Sequence, residues 1–228
     1  FTIFVSNALP TEKVLVKVIK VYKNYAIGKL IQIYEKSLNR EKPFCNSYSM
    51  CGGCNLQHLS YAAQLKWKKH LVESTIKKIA KLDNIIINDV IGMDRWENYR
   101  NKAQYPLKHE NMCLKIGFYK RMSHDIVEFS ECKIHNPISD EIKEYIKKFL
   151  IKFGISIYDE NTGKGTLRHV LVRISQNGTD IMVVLVINAD NLPFKQELVE
   201  CLTKEFGNVK SIFLNVNKGK NNVILGNE

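Results

Sequence analysis

The chain has 228 residues, 45% of them hydrophobic, with 34 Lys and Arg against 23 Asp and Glu, a formal net charge of +11. That apolar content is enough to bury a core, which argues against a small disulfide-stapled secreted domain, and the longest apolar runs, such as 181–187, are too short to cross a bilayer. The basic excess favours a polyanionic partner, most simply nucleic acid, although Lys far outnumbers Arg and a lysine-rich composition gives the same sign.

Residue 1 is Phe rather than Met and opens a short strand-like run with no basic segment before it. No secretory leader is therefore expected, and the chain reads as a piece of a longer protein working in a reducing cytoplasm, away from membranes. Residues 1–36 read as β-structure, with strands over 14–22 and 25–34 separated by a turn at Lys23-Asn24. Short strands with basic outward faces suit an OB-like barrel, and too few are present to close one. Residues 1–40 are assigned to this partial barrel and 41–228 to a central mixed domain.

Residues 37–58 form an irregular stretch rich in Pro, Asn, Ser and Gly. Ser60 then reads as the N-cap of a helix running to about residue 82, with Leu65, Val72, Ile76 and Ile79 on one face. Short strands are expected at 99–107, 113–119 and 125–129, and an amphipathic helix at 139–153. Two β-branched runs, 167–175 and 180–188, flank Gln176-Asn177-Gly178-Thr179, where Asn-Gly predicts a type I′ hairpin turn. A helix at 194–206 and a strand at 211–216 complete an α+β protein with an antiparallel sheet and amphipathic helices. Gly163-Lys164-Gly165 is the nearest approach to a glycine-rich cofactor loop, but it leads into a β-like run and lacks the third glycine.

Cys45, Cys51 and Cys54 fall inside ten residues, in the pattern C-x5-C-G-G-C. Glycine imposes no Cβ clash, so such a loop can turn its amides toward a small object. Soft thiolates select zinc or an iron–sulfur cluster. Cys132 is the candidate fourth ligand, in a three-plus-one arrangement more typical of an iron–sulfur cube than of paired zinc knuckles. Reduced structural thiols are the plain alternative. Cys113 and Cys201 sit in apolar strand and helix contexts and read as packed thiols, and His58 as a backbone-bonded imidazole.

Cys51-Gly-Gly-Cys54-Asn-Leu-Gln57-His58, followed by Tyr61 and Gln64-Leu-Lys, resembles the iron–sulfur branch of the RNA 5-methyluridine methyltransferases. Tyr99-Arg100-Asn101-Lys102, Gly117-Phe118-Tyr119, Ser123-His124, Cys132-x-Ile134, Leu167-Arg168-His169 and Val172-Arg173 extend the resemblance in order along the chain. Leu9-Pro10-x-Glu12 and the strands after it look like the family's RNA-binding TRAM barrel. The resemblance implies a [4Fe–4S] cluster held by Cys45, Cys51, Cys54 and Cys132. It also implies methyl transfer from S-adenosylmethionine to C5 of a uridine in RNA, 23S ribosomal RNA for the best-known members. The family's catalytic domain is expected C-terminal to this segment, so the chain alone is expected to be inactive. Its 60–82 helix is expected to pack on that domain, and when uncovered to favour self-association.

RNA is read mainly at unstacked bases, by aromatic stacking, arginine planes and backbone contacts. Arg100, Lys102, Tyr119, Lys120, Arg121 and Arg168 are the candidate RNA-binding residues. Tyr105 and Phe118 have a reading as plain core aromatics, and Arg168 and Arg173 are expected on opposite faces of one strand.

Overall fold

The computed structural model describes residues 1–227 as two compact units, one of Phe1–Asn46 with Cys54–Asp94 and one of Ser47–Gly53 with the residues from Arg95 onward. In the first unit, β1 (Thr2–Ser6), β2 (Lys13–Val21) and β3 (Tyr25–Glu35) form a three-stranded sheet in the order β1-β3-β2. β3 lies antiparallel to β2 and parallel to β1. These strands make an open sheet rather than a closed barrel. The β2–β3 reversal is held by the Tyr22 amide donating to the Tyr25 carbonyl at 2.8 Å.

One ion pair organises the segments after this sheet. Arg40 donates from Nε to Glu12 Oε1 at 2.5 Å and from Nη2 to Glu12 Oε2 at 2.8 Å. The same carboxylate accepts the Leu9 amide at 2.8 Å and the Ser37 amide at 3.3 Å. The Glu12 side chain is wholly covered. The Arg40 hydrogen bond leads the effects that hold its carboxyl down at about 2. The Leu9-Pro10-x-Glu12 signature is thus a folding device: its Glu reaches forward to tie the chain at residues 37–40.

The helix α1 (Tyr61–Thr75) begins after Ser60, whose hydroxyl makes no capping bond, and runs into a π-helical turn at Ile76–Ala80. Lys81, in the left-handed region at φ 55°, ends it. No residue of α1 or of the π turn is buried.

The second unit is built on a five-stranded sheet. In chain order its elements are β4 (Lys102–Glu110), β5 (Cys113–Ile116), β6 (Phe118–Tyr119), β7 (Ile126–Val127), α2 (Ile138–Lys152), β8 (Leu167–Ile174), β9 (Ile181–Ile187), α3 (Lys195–Glu205) and β10 (Val209–Val216). The sheet order is β10-β9-β8-β4-β5, and β6 pairs with β7 as a separate ribbon. All neighbours in the main sheet are antiparallel except β9 and β10, which α3 connects as a parallel pair. Period-two alternation sends Val170, Val172, Val183 and Leu185 into one core. Ile142, Ile146, Phe149 and Leu150 of α2, and Leu198 and Leu202 of α3, fill the same core. The opposite sheet face carries a smaller cluster of Leu171, Val184 and Val186, with Met182 and Ile224 against it.

Two turns differ from the sequence reading. In the 175–180 loop only Gly178 has positive φ, at 75°, and its amide bonds the Ser175 carbonyl at 2.9 Å. That is a longer loop with a left-handed glycine, not the two-residue type I′ turn. The tight two-residue reversal lies instead between β4 and β5, where Asn111 and Met112 take φ of 50° and 61° and Glu110 pairs with Cys113. The Gly163-Lys164-Gly165 stretch is a tight turn leading into β8. A Cβ on Gly165 would sit 2.1 Å from the Ile157 carbonyl oxygen, so its glycines serve the fold.

After β10, asparagines fix the returning chain. Asn215 accepts the Gly226 amide at 2.8 Å and donates to the Gly226 carbonyl at 3.2 Å, and Asn217 donates to the carbonyls of Val223 and Ile224.

Glu12→Ala leaves the largely covered Arg40 guanidinium without its carboxylate. Breaking such a pair is expected to cost about 3 kcal/mol, read as a lower denaturant midpoint for the first unit.

Candidate nucleic-acid interface

On the face of the five-stranded sheet opposite the helices, two cations, Lys102 and Arg173, stand side by side at the start of a cross-strand row. Lys102 of β4 pairs with Arg173 of β8, Arg173 with Met182 of β9, and Met182 with Ser211 of β10. Directly paired residues share a sheet face, so the row is continuous across four strands. A groove of about 500 Å³ runs over it, lined also by Asp180 and Lys210. Among the described residues, neither Lys102 nor Arg173 has a carboxylate within ion-pair distance. In the first unit, exposed Lys17 of β2 lies opposite exposed Lys29 of β3. Like charges placed opposite each other are unfavourable in the unbound chain, and a polyanion relieves them.

The loop bearing Cys51 is held by backbone pairing within the second unit. Gly52 donates to the Tyr119 carbonyl at 2.9 Å, Arg121 donates its amide to the Met50 carbonyl at 3.2 Å, and Cys51 bridges to Lys120. A Cβ on Gly52 would lie 2.9 Å from the Tyr119 carbonyl oxygen, which excludes a side chain there. The Gly53 amide points at Cys51 Sγ, 3.3 Å away. Cys132 is positioned by its own amide, which donates to Asp140 Oδ2 at 2.7 Å.

Cys45, Cys51, Cys54 and Cys132 are all half-buried; the first and third belong to one unit, the second and fourth to the other. Among the described residues, no group of three or more His, Cys, Asp or Glu side chains is gathered so as to hold a metal ion. Thiolate sulfurs are the donor type a soft-metal centre takes.

The six candidate RNA-binding residues divide into two kinds. Lys102 lines the basic groove and Lys120 is exposed beside Cys51. Tyr119 is half-buried, stacks on His124 at 4.8 Å and donates to Glu160 Oε1 at 3.3 Å. Burial, with Glu160 next in effect, raises its phenol to about 12. The other three are engaged in the fold. Arg100 is half-buried and bridges to His135 through its backbone. Arg121 donates to the Cys51 carbonyl at 3.3 Å and lies 5.1 Å over the Tyr48 ring. Arg168 is only 6% exposed, donates from Nη1 to the carbonyls of Asn217 and Gly219 at 2.7 Å each, and packs 4.3 Å over Tyr158. The sequence reading did not select Lys210 or Glu160, which strand pairing and loop return bring to these surfaces.

The chain is related to proteins named RNA methyltransferases. A protein of Clostridium acetobutylicum named an uncharacterized RNA methyltransferase is 47% identical over 228 residues, covering 99% of this chain and 50% of that protein. One of Listeria innocua with the same description is 43% identical over 226 residues, covering 99% and 49%. The chain thus spans about half the length of the curated relatives it matches. Among solved structures, the tRNA (uracil-54, C5)-methyltransferase of Pyrococcus abyssi, in complex with S-adenosyl-L-homocysteine, matches with a TM-score of 0.72 and 25% identity, over 98% of this chain and 49% of that one. No protein-family model matches the chain.

Two buried imidazoles set a pH response for this unit. Burial, aided by Arg100 and Lys143, lowers His135 to about 4; burial, aided by Arg168, lowers His169 to about 4. Both groups take up a proton more readily when unfolded, so stability falls as pH drops from about 6.5 toward about 4. Asp140, raised mainly by burial, acts in the opposite sense within the carboxylate range. Denaturant midpoints measured across this window should therefore decline toward acid, and His135→Phe should make the decline shallower.

Proposed function

We propose that the chain is the RNA-binding, [4Fe–4S]-bearing part of an S-adenosylmethionine-dependent enzyme that methylates C5 of a uridine in 23S ribosomal RNA. The observation that carries this reading is the likeness, over nearly the whole chain, to relatives named RNA methyltransferases and to a solved uracil-C5 methyltransferase. The paired cations Lys102 and Arg173, and the Lys17–Lys29 pair, support the RNA part of it. Residues 1–40, with the sheet of β1, β2 and β3, are read as the RNA-binding TRAM module, in the cytoplasm.

Methylation at C5 of uridine proceeds by thiolate addition at C6, methyl capture at C5, and loss of the C5 proton with expulsion of the thiolate, which breaks the C6–S bond and restores the ring double bond. S-adenosylmethionine, when bound, supplies the methyl group. None of this chain's cysteines is assigned as the nucleophile; its residues grip and orient RNA. The exposed apolar residues of α1, Trp67, Leu71 and Val72, with Ile79 of the π turn, are read as the surface that packs on a methyltransferase domain, and on a second copy when that domain is missing.

Cys45, Cys51, Cys54 and Cys132 are read as the cluster ligands, supported by their spacing. Cys201 packs against the core and Cys113 is exposed on β5, so neither joins them. Methyl transfer needs no electron, and the cluster's part is to tie chain segments together.

Deleting the gene tests the reaction. A 5-methyluridine should disappear from 23S ribosomal RNA on mass spectrometry of digested RNA; loss from transfer RNA alone moves the assignment to the substrate named for the structural neighbour, and loss from neither refutes the methylation reading. The ligand set is tested separately by anaerobic purification: Cys132→Ser should lose bound iron and sulfide, whereas Cys201→Ser should retain both. For the RNA surface, Arg173→Ala should weaken RNA binding and reduce the dependence of log affinity on log salt by about one.

A further inference from the structure

The open sheet of the first unit has two unlike faces. Along β3, Ala26 and Gly28 turn inward: Ala26 is only 1% exposed, and a Cβ on Gly28 would sit 2.3 Å from Val16 Cγ1 and 3.2 Å from Ile3 Cγ2. Tyr25, Ile27 and Lys29 therefore point to the opposite face, and all three are exposed. Strand register gives them neighbours. Phe4 of β1 and Lys20 of β2 both stand opposite Ile27, and Lys17 of β2 stands opposite Lys29. Directly paired residues share a face, so aromatic and cationic side chains gather on this one.

Three rings brace one another there. Tyr22 and Tyr25, flanking the β2–β3 reversal, stack with centroids 4.6 Å apart. Phe4 meets Tyr25 edge-on at 5.5 Å, with ring planes 75° apart. Lys20 Nζ lies 4.9 Å from the Tyr22 centroid. Even so braced, Phe4 is 60% exposed and Tyr25 36%. Rings held in place by their neighbours lose little freedom when something stacks on them. Among the described residues, no carboxylate lies within ion-pair distance of Lys17, Lys20 or Lys29.

The chemistry of the face selects its partner. Exposed rings reward a flat π-surface, which unpaired bases offer and a paired helix withholds by stacking its bases on each other. Phe4 and Lys20 stand two strands apart, roughly 10 Å. A nucleotide with its base on the ring can bring a neighbouring phosphate to that ammonium. A second copy of this chain, apposed through the same face, would instead press these lysines against each other, a like-charge arrangement that disfavours pairing.

We propose that this outer sheet face binds single-stranded RNA, with an unstacked base on the Phe4–Tyr25 surface and the flanking phosphates on Lys17, Lys20 and Lys29. The inference rests on the RNA-binding reading of residues 1–40 and deepens it by stating the strand form taken and the groups that take it. Every base has a π-face, so stacking here holds RNA of any sequence.

The test is competition for the chain, at one salt concentration, between a fluorescent oligoadenylate of about eight nucleotides and unlabelled rivals: the same oligomer, and a ribose-phosphate oligomer of equal length without bases. The base-bearing strand should compete about fivefold or more strongly than the base-free one. Phe4→Leu and Tyr25→Leu should each remove most of that preference while leaving duplex binding and the salt dependence unchanged. Lys20→Gln should lower the salt dependence and keep the preference. Equal competition by the base-free oligomer overturns the proposal on the unaltered chain, whatever the variants do. So does a preference that survives both leucine variants, or an equal loss of duplex binding in them. A dimer in sedimentation that Phe4→Leu abolishes with RNA binding intact also overturns it and makes the face a self-association surface. The result is separable from gene deletion. Leucine variants without effect, alongside loss of 5-methyluridine on deletion, sink this face alone; a ring-dependent affinity alongside unchanged 5-methyluridine sinks the methylation reading alone.

Discussion

The second unit hangs on the carboxylate of Asp140. Its Oδ1 accepts the Tyr105 hydroxyl at 2.8 Å, its Oδ2 accepts the Cys132 amide at 2.7 Å, and Lys143 Nζ stands 4.0 Å away. Lys143 is fully buried and also donates to the Phe129 carbonyl at 2.6 Å. Near the start of α2, Asp140 therefore fixes strand β4 and the approach to Cys132, and Lys143 beside it fixes the end of the 126–129 segment. Around it Tyr105, Phe118 and Phe129 stack in sequence, with ring centroids 5.3 and 4.8 Å apart, and His135 closes edge-on against Phe118. Buried charges hold a structure only when every member finds a partner. Here the partners come from distant parts of the chain, so the network exists only when sheet, helix and loop are already assembled.

The same logic separates the arginines from the lysines. Arg40, Arg121 and Arg168 are engaged with carbonyls, carboxylate or aromatic rings inside the units, where a planar fork of donors satisfies several acceptors at once. The exposed charge is left largely to lysines, with Arg95 and Arg173 as exposed arginines. The fixed cations of this chain build its framework, and its surface field comes mostly from flexible ammonium groups suited to phosphate rather than to bases.

Much of the element order was legible because it follows periodicity. The apolar spacing of α2 and α3 and the β-branched runs of β8 and β9 carry their own signal. What was not legible depends on atoms distant in sequence. Nothing local reveals that Asp140 and Lys143 turn inward, because each is an ordinary helix-surface residue by composition. Asn177-Gly178 carried the stronger turn signal, yet the tight reversal formed at Asn111-Met112, where strand register overrides the usual preference for glycine. The cysteine spacing was plain in the sequence, whereas the docking of Gly52 on the Tyr119 carbonyl needed the fold to become visible.

The pairing of the Asn215 amide group with both backbone groups of Gly226 reaches beyond local geometry. A side-chain amide presents the same donor and acceptor as a peptide unit, so it imitates one residue of a further strand. β10 is the last strand of its sheet, and outermost strands invite docking by foreign chains. With the stretch from Val223 to Gly226 tethered alongside it by asparagines, that invitation is partly withdrawn. The sheet is terminated by side chains imitating backbone, a guard against edge-to-edge aggregation that adds no strand to the fold.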